Sequence, residues 1–259
     1  HGSVAGPDGL EELLPRMTVV AAGPGMGTSE GARKTIEWVL DNWAGPLLLD
    51  ADAVNLLAGR PERIAGRDIP PVLTPHPGEL ARLLESSSED VVSDRISAAR
   101  EAAKKAQAVV VAKGYRTVVA DPDGEVWINP TGDHKLASGG SGDVLTGCIG
   151  ALLAQGLEPT RAALVGCWLH GRAGEIGVVP GLDRVEVSHE HDRCFTVVAT
   201  EFAHHLKHIM QADVVFQGAF AGGLDDRAIC HGIGKRHTDL DQGGSGRAQC
   251  MHQRHRDAG

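Results

Sequence analysis

The 259-residue chain is poor in aromatic side chains, with four Trp, four Phe and a single Tyr. A core with so few rings has to be filled by small aliphatic groups, which suits helices packed closely on a buried sheet. No apolar run reaches the length of a membrane span. The net charge is −9, and no stripe of Lys and Arg with interleaved aromatics is present, so neither a nucleic-acid nor a membrane partner is expected. The cysteines (Cys148, Cys167, Cys194, Cys230 and Cys250) are odd in number and lack Cys-x-x-Cys spacing. They read as reduced thiols of a cytoplasmic protein, not as a disulfide framework or a zinc site. The opening HGSVAGPDGLEELLPRM has no signal-peptide pattern and no initiating Met, so a piece of a longer chain is expected.

What is present is an alternation of apolar strands and amphipathic helices. TVVAAGPG (18–25) is a strand running into a glycine turn, and TSEGARKTIEWVLDNW is a helix with Thr28 or Ser29 as its cap. PLLLDADAV (46–54) is a strand ending in two acids, of which Asp52 is positioned to cap the segment that follows. PPVLTPHPGE (70–79) is a strand that breaks at prolines before the helix ELARLLE. SDRISAAREAAKKAQ is a helix capped by Ser93, and AVVVAKG (108–114) is a strand of the buried, parallel kind. TVVADPDGEVWINP forms a β-hairpin around Pro122, Asp123 and Gly124. Two further helices close the series, one from Asp143 and one over EPTRAALVGCWLHGRAGEIG. The order predicts an α/β fold, a mainly parallel sheet covered by helices on both faces. Ligands of such sheets bind outside the carboxyl ends of the strands, where AGPGMG, DAD, TPHPGE and AKGYRT all fall.

LASGGSGDVLTG (136–147) poses the chemical question. In one reading Gly139, Gly140 and Gly142 make a turn, and Asp143 caps the helix. In the other, the glycines and first-turn N–H groups form an anion hole. An aspartate there would repel phosphate, but it makes sense as the base that deprotonates a reacting hydroxyl. Beyond residue 180 periodicity fades, and nine of the thirteen histidines lie between His189 and His255. His204, His205 and His208 are placed to share a helix face, read as solvated because no metal-ligand spacing accompanies them.

The blocks AAGPGMG, LLLDADAVN, PVLTPHPGEL, VVVAKGYRTVVADPDGEVWINPTGDHKLASGGSGDVLTG and CWLHGRAGE, spanning Thr18 to Glu175, resemble the ADP- or ATP-dependent (S)-NAD(P)H-hydrate dehydratases. These are metabolite-repair enzymes of ribokinase-like fold. The resemblance implies a lyase that uses ADP (or ATP) with Mg2+ to dehydrate (S)-NAD(P)H-hydrate, releasing AMP and phosphate. It makes Asp143 the catalytic base beside the reacting hydroxyl. Gly139, Gly140, Ser141 and Gly142 become the loop that holds the transferred phosphoryl group. Lys113, Gly114, Tyr115, Arg116 and Thr117 become the adenine-nucleotide segment. The hydrated dinucleotide is expected at Gly23, Gly25, Gly27, Asp52, His76 and Asp143. Glu79 falls where related kinases carry the acid of Asn-x-x-Glu, which orders magnesium water. Here His76 replaces the Asn, a change that favours the dehydratases.

The family's amino-terminal glycine-rich strand and helix have no counterpart before Thr18, and its closing helices have none after about residue 177. The expected organisation is therefore an incomplete ribokinase-like domain over 1–180 and an atypical tail over 181–259, with an exposed sheet edge. A homo-oligomer is expected from the family alone. Two other readings stay open: a small-molecule kinase of the hydroxymethylpyrimidine or thiazole type, and a non-catalytic nucleotide-binding remnant.

Overall fold

The computed structural model describes residues 4–176 and 214–217. Seven strands form one sheet: β1 (Val19–Ala22), β2 (Leu47–Leu49), β3 (Val72–Leu73), β4 (Val109–Ala112), β5 (Val118–Ala120), β6 (Val126–Ile128) and β7 (Val214–Gln217). Their spatial order is β6-β5-β4-β3-β2-β1-β7. The five strands from β7 to β4 are mutually parallel. β5 and β6 are the predicted hairpin, antiparallel to β4 and to each other.

The helices are α1 (Leu10–Leu13), α2 (Glu30–Asn42), α3 (Ala51–Leu56), α4 (Pro77–Leu84), α5 (Ser88–Ser93), α6 (Arg95–Ala106), α7 (Ser141–Ala154) and α8 (Pro159–Ile176). Strand residues alternate between two cores with a period of two, as pleating requires. Leu47, Leu49, Leu73, Val110, Ala112, Val118 and Ala120 face the side covered by α2 to α6. Val19, Ala21, Leu48, Val72, Val109, Val111 and Val119 face α7 and α8. Right-handed crossovers between successive parallel strands put their helices on one face. The chain reaches the other face only after the hairpin, so the stretch from 129 to 141 has to pass around the sheet.

Packing is close because the facing residues are small. Ala99, Ala102, Ala103 and Ala106 of α6 are all fully buried. Gly166 of α8 lies against α7, and a Cβ there would stand 2.6 Å from Ile149 Cγ1. Gly166→Ala is therefore expected to destabilise by about 1–3 kcal/mol through overpacking, read as a lower thermal midpoint. Only an unchanged midpoint would show that the two helices can separate without cost.

Several boundaries differ from the sequence reading. Ser29 caps α2 as predicted, its side chain accepting from the Ala32 N–H. Ser93 instead ends α5, and Asp94 caps α6 by accepting from Ser97. Asp94 sits directly before the first helical residue, where its carboxylate reaches the Ser97 N–H. Asp143 is not a cap either: α7 begins two residues earlier, behind Gly140 in the left-handed region (φ 85°). β7 pairs with the outer side of β1 from within the stretch expected to be an atypical tail. A row of unpaired backbone groups along β1 gives a reason for that pairing. The tail histidines, His204, His205 and His208 among them, lie outside the described residues.

Candidate active site

The carboxyl ends of β1 to β4 meet in a network centred on the first of the two acids that end PLLLDADAV. Asp50 follows β2 and is 1 % exposed. Its N–H extends the ladder, donating to the Ala22 carbonyl at 3.0 Å. Opposite it, Gly23 has φ 134°, and a Cβ would meet the Asp50 carbonyl oxygen at 1.7 Å. Only glycine lets the two strand ends approach so closely. Asp50 Oδ1 accepts from Lys113 Nζ at 2.7 Å, and Oδ2 accepts from the buried Thr146 hydroxyl at 2.7 Å. A buried carboxylate needs such compensation. Here it comes from the end of β4 and from α7 on the opposite face, so the network ties three elements together.

His76 and Glu79 form the start of α4. His76 is the N-cap: Nδ1 accepts from the N–H groups of Gly78 (3.0 Å) and Glu79 (3.3 Å), while the His76 N–H donates to Glu79 Oε2 at 2.8 Å. This is a reciprocal capping box with histidine in the usual Ser or Thr position. Pro77 suits the first helical position, which needs no N–H donor. Glu79 is buried, with Oε1 3.2 Å from His76 Nε2 and Oε2 4.0 Å from Lys113 Nζ. The pattern His-Pro-Gly-Glu thus serves helix initiation and also presents a half-exposed imidazole at the strand ends.

The glycine loop arrives over this network. At Gly142 a Cβ would lie 3.4 Å from Lys113 Nζ. No side chain caps the start of α7, which leaves the positive end of its dipole without a capping side chain. Asp143, in that first turn, is solvent-accessible at the mouth of the site. Protein crowding and then the charge of Asp50 push its carboxyl above the ordinary range, against a downward pull from Lys113.

α8 holds the approach to this loop. Asn129 Nδ2 donates to the Cys167 carbonyl and the Thr131 hydroxyl to the Trp168 carbonyl. The Gly132 N–H donates to Glu175 Oε1 at 2.8 Å. The Ser141 hydroxyl donates to the Leu136 carbonyl at 2.5 Å. Burial pushes the His170 imidazole below the ordinary histidine value, against an upward pull from the Ser141 backbone.

A family described as NAD(P)H-hydrate dehydratase matches residues 5–177. The chain belongs to the NAD(P)H-hydrate dehydratase family.

Relatives of this dehydratase-family chain include the bifunctional NAD(P)H-hydrate repair enzyme Nnr of Moorella thermoacetica. It is 46 % identical over 171 residues, which are 65 % of this chain and 32 % of that one. The ADP-dependent (S)-NAD(P)H-hydrate dehydratase of Neisseria meningitidis is 40 % identical over 191 residues, 70 % of this chain and 64 % of that one. The chain thus spans about a third of the bifunctional relative and under two thirds of the Neisseria one. The ADP/ATP-dependent NAD(P)H-hydrate dehydratase of Bacillus subtilis, co-crystallised with ATP/Mg2+, superposes with a TM-score of 0.57 at 40 % identity, covering 61 % of this chain and 55 % of that one. A ribokinase-like superfamily protein from Enterococcus faecalis, at 24 % identity and a TM-score of 0.58, shares the fold over 78 % of this chain and 67 % of its own. The predicted ribokinase-like α/β class is therefore the observed one.

Within this dehydratase-family chain, Lys113, Glu79, His76 and Gly142 come together, and Asp143 lies within the field of Lys113 and Asp50. Gly23 lines the same rim through Asp50. Gly25 and Gly27 complete the turn after β1, both with positive φ. Asp52 does not cap α3: it lies inside the first turn and accepts from the Gly27 N–H at 2.9 Å, fastening the glycine turn to that helix. Gly139 and Gly140 precede α7, and only Gly140 takes positive φ. Gly114 to Thr117 form a turn closed by the Thr117 hydroxyl donating to the Gly114 carbonyl, with Arg116 left-handed (φ 53°) and Tyr115 83 % exposed.

Asp50, Thr146, Asn129, Glu175 and His170 were not singled out from the sequence as site residues. A signal existed for Asp50, because an acid directly after an all-apolar buried strand needs a partner. None existed for the α8 contacts, which depend on a helix packing beside the hairpin. No helix among the described residues is long and apolar enough to cross a membrane. Likewise, no three His, Cys, Asp or Glu side chains among them converge as a metal-ligating group.

Proposed function

We propose that the chain carries out ADP-dependent (or ATP-dependent) dehydration of (S)-NAD(P)H-hydrate. One observation carries the reading: a carboxyl with raised proton affinity, Asp143, at the uncapped start of a helix beside Lys113. Hydroxide is a poor leaving group, so the ring hydroxyl is first phosphorylated, and phosphate then departs to regenerate the reduced nicotinamide. Asp143 accepts the hydroxyl proton as the oxygen attacks phosphorus. The backbone N–H groups of Gly139 to Gly142 stabilise charge on the transferring group. Lys113 offsets negative charge at the strand ends. His76 and the turn at Gly23, Gly25, Gly27 and Asp52 hold the dinucleotide, while Gly114 to Thr117 hold the adenine nucleotide.

The relatives support ADP or ATP as the phosphoryl donor, and the Bacillus complex contains magnesium. The donor set here does not fit direct ligation of such an ion by the chain. Glu79 is engaged with His76 and has an ammonium 4.0 Å away. A role for Glu79 is confined to ordering water around a nucleotide-borne ion. A cytoplasmic location and a homo-oligomeric state belong to the same proposal, supported by family membership alone.

The test follows absorbance at the reduced-nicotinamide band together with phosphate release, using hydrated NADH or NADPH and ADP. Stoichiometric phosphate and reduced cofactor support dehydration. A stable phosphorylated product instead supports the kinase reading, and nucleotide binding without turnover supports the remnant. The pH profile gives a further prediction. A base must be deprotonated to act, so the acid limb of kcat/KM is expected above the ordinary carboxylate range. Lys113 pulls the Asp143 carboxyl down, so Lys113→Met should move that limb to higher pH. A limb that stays in place would show that Asp143 is not the titrating base.

A further inference from the structure

The nucleotide segment owes its shape to a residue outside it. Arg95, the first residue of α6, reaches across to the turn after β4. Its Nη2 donates to the Arg116 carbonyl at 2.9 Å and also to the Tyr115 carbonyl. Two successive carbonyls can point at one donor only if the backbone between them turns sharply, and Arg116 accordingly takes φ 53°. Such a conformation is unfavourable for a non-glycine residue, so something has to hold it. Gly114 permits the approach: its φ is 154°, and a Cβ there would stand 2.3 Å from Arg95 Nη1. The guanidinium is buried enough that its own charge is disfavoured. Its Nε has no hydrogen-bond partner and is shielded from solvent. Placing a charged group this way serves the turn, not Arg95. The result is an exposed Tyr115 ring with the Arg116 guanidinium 5.7 Å from its centroid. A flat face of this kind suits a purine base.

We infer that Arg95 is a positioning residue of the adenine-nucleotide site, holding the Gly114–Thr117 turn in its binding conformation. The inference rests on the nucleotide reading above and adds to it the element that pre-forms the turn. If loss of Arg95 leaves the competent conformer about one tenth populated, nucleotide affinity falls about tenfold. Lysine lacks the flat guanidinium that lies against Gly114 and ends in a compact, strongly hydrated ammonium, so Arg95→Lys should recover only part of the loss.

Tyr115 is the only tyrosine in the chain, so protein labelled with 3-fluorotyrosine gives one fluorine resonance that reports on this turn. The resonance is recorded for the wild type, Arg95→Ala and Arg95→Lys, free and titrated with ADP. Folding is checked by circular dichroism. The expected result is a displaced or broadened signal in free Arg95→Ala and an ADP Kd about tenfold higher. Arg95→Lys should fall between, and added ethylguanidinium should restore Arg95→Ala towards wild type. A merely structural role would not give that rescue. An Arg95→Ala signal and Kd equal to wild type would overturn the inference and leave the nucleotide reading standing. A wild-type signal unmoved by ADP, with no heat of binding, would sink the nucleotide reading first and this inference with it.

Discussion

Asp143→Asn is expected to lower the dehydration rate by about 10²–10⁴-fold, the usual cost of losing a positioned base, while ADP affinity stays within a few-fold of wild type. Asn preserves the shape of the side chain and its place in the first turn of α7, but cannot accept the proton. It also removes a negative charge from the mouth of an anion site, so weaker nucleotide binding is not expected. The same substitution should raise the thermal midpoint at neutral pH. Burial and Asp50 raise the Asp143 carboxyl in the folded state. A carboxyl raised on folding costs stability above its folded value, and that cost disappears below its unfolded value. Lower activity with higher stability is the pattern of a group kept for chemistry. Absorbance kinetics and thermal shift with ADP measure the two effects. A folded Asp143→Asn protein that turns over like wild type would remove Asp143 from the mechanism.

Asp50→Ala is expected to give the largest loss of stability. It leaves the Lys113 ammonium and the buried Thr146 hydroxyl without their carboxylate. Breaking one side of a buried pair costs about 3 kcal/mol or more, which for a domain of this size lowers the thermal midpoint by about 6–12 °C. The double variant Asp50→Ala with Lys113→Met should recover part of the stability, because it removes the unpaired charge. It should not recover activity, because Lys113 belongs to the site. Recovery of both would make the pair a structural device unconnected with the chemistry. An Asp50→Ala protein as stable as wild type would mean that water reaches the site freely.

Much of the fold was legible because strands and helices here obey their own periods. LLLD and VVVAKG are continuous apolar runs, which buried parallel strands require. ADPDGE between two alternating stretches marked the hairpin. Caps were harder, because Ser93 and Asp94 are neighbours and either chemistry serves. Asp143 was a plausible cap in sequence and a first-turn residue in space, because Gly140 absorbs the turn two residues earlier.

Composition, apolar period and the motif TPHPGE with GGSGD determined by themselves the α/β class, the family and the strand-end rim proposed to take the ligands. These signals are local, since each depends on residues a few positions apart. Only the tertiary structure decided that Asp50 anchors the site, that α8 holds the loop from behind and that Arg95 shapes the Lys113–Thr117 segment. Those contacts join residues 20 to 96 positions apart. A hydrogen bond between such distant groups exists only once the sheet has brought their elements together.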